Sequence, residues 1–290
     1  MSYQSIAQIL EECSRQNKSF ATIILEEDMQ QRQVTKEESF QTMRQVYEAM
    51  IKADADYDGK LRSTSGLVGG EGEKVAKAVK ENDILSGPLI GEIMAKALKM
   101  GESNACMKRI VAAPTAGSCG VVPAVFLTLQ QHLDIPMDEM IEALYVVAGV
   151  GEVIASRAFI SGAEGGCQAE VGSASAMAAA GVAFLQGGSA EVIAHATSIA
   201  IKNLLGLACD PVAGLEEVPC VKRNVIGAVN ALTSADLALA GVTSAIPTDE
   251  VIDAMRAIGL AMPTSVRETG EGGLAATPTG VKIMKQMKRY

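Results

Sequence analysis

"VGSASAMAAAGVAFLQGGSA", residues 171–190, is a twenty-residue tract without a charged side chain. Its length is that of a membrane-spanning helix. Its composition is not: it is mostly alanine and glycine, and it holds Ser173, Ser175, Gln186 and the Gly187-Gly188 pair. Such a tract reads as a helix buried in the centre of a soluble core. The whole composition points the same way. Aromatic residues make up 3% of the 290 residues and Trp is absent, so Ala, Val, Ile, Leu and 14 Met must fill the interior. That favours close-packed helices over a β-sandwich. No alternating strand pattern of useful length appears, and the expected fold is mainly α.

Working outward, charge is unevenly spread. Residues 1–60 carry 18 charged side chains, whereas residues 161–248 carry 10. The first part therefore reads as surface helices and the later part as a buried helical centre. Thr35-Lys36-Glu37-Glu38 is a capping box that opens a helix through about Lys52. Further helices are expected over residues 73–80, 89–100 and 121–132. Ser189 is placed to cap a helix that Gly206 ends, and Thr248 to cap another. "GLVGGEG", residues 66–72, is a glycine-rich connection and a plausible boundary. Asp54 to Gly59 resembles the start of an EF-hand loop. Ser65 stands where a bidentate Glu is needed and Arg62 would repel calcium, so it reads as an acidic turn. The formal net charge is −9 with no Lys/Arg block, which argues against nucleic acid and anionic membranes as partners. The start of the chain has no basic, then apolar, pattern of a secretory signal, so a cytoplasmic protein with reduced thiols is expected.

The six cysteines are Cys13, Cys106, Cys119, Cys167, Cys209 and Cys220. Cys167 follows Gly165-Gly166, Cys209 precedes Pro211, and Cys220 follows Pro219. Glycine permits close backbone approach and proline interrupts regular helix, so all three are expected on bends. Thiolates from distant bends suit an assembled metal site. Three could join a zinc site, which needs a fourth ligand to close. Three could hold a [4Fe–4S] cluster with one iron left open. Lys222 and Arg223 would offset the cluster's negative charge. Three inert buried thiols remain the plain alternative.

The strings "ISGAEGGCQAEVGSASAMAAAG", "NLLGLACDPVAGLEEVPCVKRN" and "GGLAATPTG" resemble the α subunit of the bacterial iron–sulfur-dependent L-serine dehydratase (L-serine ammonia-lyase). "APTAGSCGVVPA" and "SGLVGGEG" resemble it too, and the similarity covers almost the whole chain. The resemblance implies that Cys167, Cys209 and Cys220 hold a [4Fe–4S] cluster whose open iron acts as a Lewis acid. It implies a compact helical α domain and a cytoplasmic enzyme that converts L-serine to pyruvate and ammonia without pyridoxal phosphate. That activity serves serine catabolism and gluconeogenesis. Residues 1–65 are then a charged helical segment packed on a cluster-binding catalytic domain, residues 66–290, the two forming one structural unit. The alternative from another class is a thiol-rich binding or regulatory subunit with structural zinc and no turnover.

The "PTAGSCG" loop, residues 114–120, could present backbone N–H groups to the substrate carboxylate at a helix start. Thr115, Ala116 and Gly117 are the expected contacts. The base is harder to place. Related single-chain enzymes have a Ser-Ser-Ser-His-Thr motif that this chain lacks. His195 lies in an apolar run and reads as a core residue bonded to a backbone carbonyl, and His132 as a dipole contact at a helix end. The base is therefore expected on a β subunit, with His195, Glu164 and Glu170 as the fallback here. "STSGLVGGEG" and "GEGGLAATPTG" read as flexible contacts that such a partner could order. The "KQMKRY" end offers no cysteine to cap the open iron. Cys13, Cys106 and Cys119 are expected to be structural.

Overall fold

Hydroxyl caps set the first three helices. Ser5 begins α1 (Ile6–Gln16), Ser19 begins α2 (Phe20–Arg32) and Thr35 begins α3 (Lys36–Ala55), each side chain accepting a hydrogen bond from the N–H three residues on. The expected capping box is complete, since Glu38 accepts from the Thr35 N–H at 2.8 Å. The computed structural model describes residues 3–287. Met1, Ser2 and the last three residues of the "KQMKRY" end lie outside the described residues. Beyond α3 come α4 (Glu71–Lys80), α5 (Gly87–Ala105), α6 (Val121–Leu133), α7 (Met137–Arg157) and the single turn α8 (Gly162–Gly165). A π-helical turn, Gln168–Gly172, runs directly into α9 (Ser173–Leu185). The chain continues through α10 (Ala190–Leu204), α11 (Cys220–Leu239), α12 (Thr248–Ala261) and α13 (Pro278–Met287). Among the described residues no strand forms, and the only extended pairing is a parallel bridge between Cys209 and Arg267.

The tract at 171–190 is the centre of the molecule. Helices α6, α7, α10 and α11 pack around α9, and every residue from Ser173 to Ala183 is buried. Small side chains make that possible. A Cβ on Gly181 would overlap the Phe126 ring of α6 and lie 2.9 Å from Val147 Cγ2 of α7. Ser175 in the tract is fully paired, whereas the buried Ser173 hydroxyl has no hydrogen-bond partner. Ser175 Oγ donates to the Gly227 carbonyl at 2.8 Å, and Asn230 Nδ2 donates to Ser175 Oγ at 2.8 Å. No helix among the described residues is long and apolar enough to cross a membrane. Gly181→Ala is expected to lower stability by about 1–3 kcal/mol through overpacking. A urea midpoint equal to wild type would show that Phe126 gives way instead.

Several sequence expectations need correction. The N-terminal helices are more than surface. Phe20, Ile23 and Ile24 on α2 are buried and that helix packs against α7, while Tyr47 of α3 is fully buried and donates to Gln130 Oε1 at 2.8 Å. Most of their charges occupy the outer faces, with Asp54 of α3 an exception that is largely buried beside Lys96. Thr248 is the first helical residue after Pro247, not the cap. Its hydroxyl is buried between α10 and α12, where it donates to the Ala194 carbonyl and accepts from Ser198. Gly206 does follow the end of α10, with φ 83°. The acidic turn closes on the protein's own cations. Lys96 Nζ lies 3.1 Å from Asp54, and Arg62 Nη1 donates to the Gly59 carbonyl at 3.0 Å.

Candidate functional site

Gly166 has φ 74° and a Cβ there would lie 2.9 Å from the Leu207 carbonyl oxygen, so only glycine allows this approach. It brings Cys167 onto the segment that carries Cys209, and the Gln168 N–H donates to the Leu207 carbonyl at 3.0 Å. The Gln168 side chain secures the join by donating to the Met255 carbonyl and accepting from the Gly206 N–H. Cys209 itself is clamped by residues 266–268. Its N–H donates to the Val266 carbonyl and its carbonyl accepts from the Glu268 N–H, both at 2.8 Å. Cys220 is the first residue of α11, directly after Pro219. It is therefore in helix and not on a bend, because proline limits only what precedes it and is well tolerated at a helix start.

These three cysteines, from three segments, form one small apolar cluster with Val171 and Leu204. Their exposures are 1%, 0% and 2%, and all are free thiols. The three thiols interact with one another. Hydrogen bonds from Cys209 and Cys220, and then the Arg223 guanidinium, hold the Cys167 thiol well below its ordinary range. The same contacts with Cys167 push Cys209 and Cys220 up. Arg223 is anchored by Nη1 to the Ala208 carbonyl at 2.7 Å and by Nη2 to Asp210 Oδ1 at 2.8 Å. Lys222 does not join it. Its Nζ pairs with Glu71 at 2.8 Å on the surface, because adjacent helix positions face different ways.

Carboxylates crowd the same place. Ligand atoms of Cys167, Glu170 and Cys209 all lie within 4.8 Å of one another, a grouping that could bind a metal. Burial pushes Glu170 up to about 8, although a hydrogen bond with Thr115 pulls the other way. Burial and then a hydrogen bond with Glu268 push Glu216 up to about 7. Glu268 holds φ 65°, the left-handed region that non-glycine residues rarely adopt. Gly162 and Gly117 leave the space these groups surround. A Cβ on Gly162 would stand 2.9 Å from Cys209 Sγ and 3.0 Å from Glu170 Oε2. A Cβ on Gly117 would stand 3.1 Å from Glu216 Oε2 and 3.2 Å from Glu170 Oε1. Glu164 is exposed and outside this set.

The 114–120 loop therefore abuts the carboxylates that lie beside the thiols. Thr115 meets Glu170, Gly117 meets Glu170 and Glu216, and exposed Ala116 accepts from Asn104 Nδ2 at 3.2 Å. Cys119 points away, buried in the main core with its thiol directed at the Met100 carbonyl. Cys13 is buried in α1, and Cys106 ends α5 half-buried. His195 accepts from the Ser244 N–H at 3.3 Å, so its backbone partner is an N–H and not a carbonyl. It lines a separate pocket with Ile6, Glu191 and Asp249. His132 pairs with Glu92 at 3.2 Å near the end of α6. The two glycine-rich segments are fastened within the chain. Ser63 and Ser65 both donate to Glu217, and Leu274 N–H donates to Asp210 Oδ2.

Sequence reading missed Glu216, Glu268 and Asn224. Asn224 had a legible signal: Cys220, Arg223 and Asn224 stand at i, i+3 and i+4, one face of a helix that starts at Cys220.

A profile of the serine dehydratase alpha chain family matches residues 15–275. A probable L-serine dehydratase alpha chain from Bacillus subtilis is 46% identical over 285 residues, 98% of this chain and 95% of that one. An L-serine dehydratase alpha chain from Peptoniphilus asaccharolyticus is 39% identical over 279 residues, 96% of each. An L-serine dehydratase from Helicobacter pylori is 36% identical over 288 residues, 95% of this chain but 62% of that protein. Matched by the family profile over most of its length, and by such relatives nearly end to end, this chain belongs to the serine dehydratase alpha chain family.

Proposed function

We propose that the chain is the cluster-bearing subunit of a cytoplasmic L-serine ammonia-lyase, and that Cys167, Cys209 and Cys220 hold a [4Fe–4S] cluster. The convergence of three buried, unpaired thiols beside Arg223 and under the 114–120 loop carries this reading. The donor set fits: thiolate sulfur is the preferred ligand of iron–sulfur clusters, and a guanidinium offsets the charge of three thiolates. Gly162 adds no side chain of its own against Cys209, where a Cβ would stand 2.9 Å from the sulfur. A bound cluster with one iron free of cysteine supplies a Lewis acid for the departing hydroxide.

The chain's own residues do the rest. Thr115, Ala116 and Gly117 receive the substrate carboxylate on the loop that leads into α6. Loss of the α-proton and of hydroxide from serine leaves aminoacrylate. This tautomerises to an imine, which takes up water and releases ammonia to give pyruvate. A base must take the α-proton, and neither histidine of this chain is at the site. The partner, a β subunit, supplies it. The relatives named alpha chains, and a longer Helicobacter pylori relative of which this chain matches 62%, support a partner.

A second reading has one observation behind it. Glu170 lies with Cys167 and Cys209 in a grouping that could complete a four-ligand zinc site, given Cys220 as the fourth. Anaerobic purification decides between them. The expected product is brown and contains iron and sulfide in stoichiometric amounts. In air, activity of the complex with its partner is expected to decay and to return in part with ferrous iron and reductant. A colourless protein with one zinc per chain and no turnover would establish the second reading.

A further inference from the structure

Asn224 is 1% exposed and lies one turn along α11 from Cys220. Its amide makes three hydrogen bonds. Oδ1 accepts from the Gly120 N–H at 2.8 Å. Nδ2 donates to the Gly117 carbonyl at 2.9 Å and to the Cys220 carbonyl at 3.1 Å. One side chain thus ties both ends of a loop turn to the helix that begins with a site cysteine. Gly120 is itself pressed close. A Cβ there would stand 3.0 Å from Asn224 Oδ1 and would also run into the Ala97 carbonyl of α5. The loop lies between α5 and α11 with no slack at that point.

The geometric consequence is larger than three bonds. A peptide unit is planar and trans, so its C=O and the following N–H point in opposite directions. Holding the Gly117 carbonyl on Asn224 turns the Ser118 N–H away from Asn224. Holding the Gly120 N–H turns the Cys119 carbonyl away likewise. Two of the three peptide planes between Gly117 and Gly120 are set by one amide. The full set needs one accepted and two donated hydrogen bonds from one neutral side chain, which the amide of Asn supplies.

We propose that Asn224 is the positioning residue of the 114–120 loop, aiming the loop's N–H groups at the carboxylate of the substrate amino acid. This rests on the reading of that loop as the carboxylate-binding element. Asn224 touches neither substrate nor thiol side chain, and acts through Gly117 and Gly120.

The test uses Asn224→Asp and Asn224→Ala in the full chain, reconstituted anaerobically with its partner. Asp keeps the acceptor for Gly120 but cannot donate to Gly117, and Ala removes both loop bonds. The expected result is a KM for L-serine raised about 10- to 100-fold, the range for orphaning a buried hydrogen-bonding group. The change in kcat should be smaller, and iron and sulfide content should equal wild type. Amide hydrogen exchange across residues 114–120 of the isolated chain should quicken in both variants while α9 stays protected. An unchanged KM with unchanged exchange would overturn the proposal. So would loss of iron and sulfide in step with activity, which would make Asn224 a structural support of the thiol site. Where Asp is not accommodated and the variant melts early, the neutral Ala variant decides. If the wild-type complex does not turn over serine, the lyase assignment fails by itself. Exchange across 114–120 then decides whether Asn224 holds the loop.

Discussion

Cys209→Ala is expected to retain no iron or sulfide above background after anaerobic reconstitution, and Cys167→Ala and Cys220→Ala to behave alike. On the proposed ligand set, three cysteines leave one iron without a protein thiolate, so none can be spared. Serine turnover should fall with the cluster by about a thousandfold or more, since several kcal/mol of Lewis-acid stabilisation disappear with it. Cys13→Ala and Cys119→Ala serve as controls. Both residues are buried in the main hydrophobic core, so each should lose some stability and keep full iron and sulfide. Iron and sulfide counted per chain give the answer. A full complement in Cys209→Ala would end the ligand assignment, whatever happened to activity.

The isolated chain, loaded with its cluster, is expected to release pyruvate at under about 1% of the rate of the complex with its partner. A general base contributes typically 10²- to 10⁴-fold, and this chain places no histidine at the thiol site. His195 is engaged with Ser244 in another pocket, and His132 with Glu92. The two halves of such a site need accurate registration, so the interface should exceed roughly 2,000 Å². Pyruvate is measured without oxygen, with and without the partner. Turnover by this chain alone, at a rate the partner does not change, would sink the two-subunit reading. It would return the search for the base to Glu170, since Glu164 is exposed.

What could be read without coordinates was what local chemistry decides. The capping box at Thr35, the end of α10 at Gly206 and the buried run around α9 all follow from side chains within a few positions of one another. The three cysteines stood out because glycine or proline beside them marks unusual backbone. What could not be read was which side chains turn inward on buried helices. Helix α11 has no clear apolar period, so its start at Cys220 was invisible, and with it the alignment of Cys220, Arg223 and Asn224. Lys222 and Arg223 look equivalent in sequence, yet one pairs with Glu71 on the surface and the other lies beside the thiols. Glu216 and Glu268 come together from 52 positions apart, and nothing local announces it. The glycine-rich segments looked loose because glycine permits motion. They are fastened instead by Glu217 and Asp210, residues far away in the chain.

The clamp on Cys209 has a consequence for biosynthesis. The backbone of Cys209 acquires its two hydrogen-bonding partners only from Val266 and Glu268, residues 57 and 59 positions later in the chain. At about 5–20 residues per second, a ribosome needs roughly 3 to 12 seconds to make that stretch. During this interval Cys167, Cys209 and Cys220 have all been synthesised, but the second of them has no fixed backbone. The thiol site is therefore assembled late, after the central helices are made. On the proposed ligand set, iron delivered to the nascent chain would meet an unformed site, and loading would belong to the period after residue 268 has left the exit tunnel.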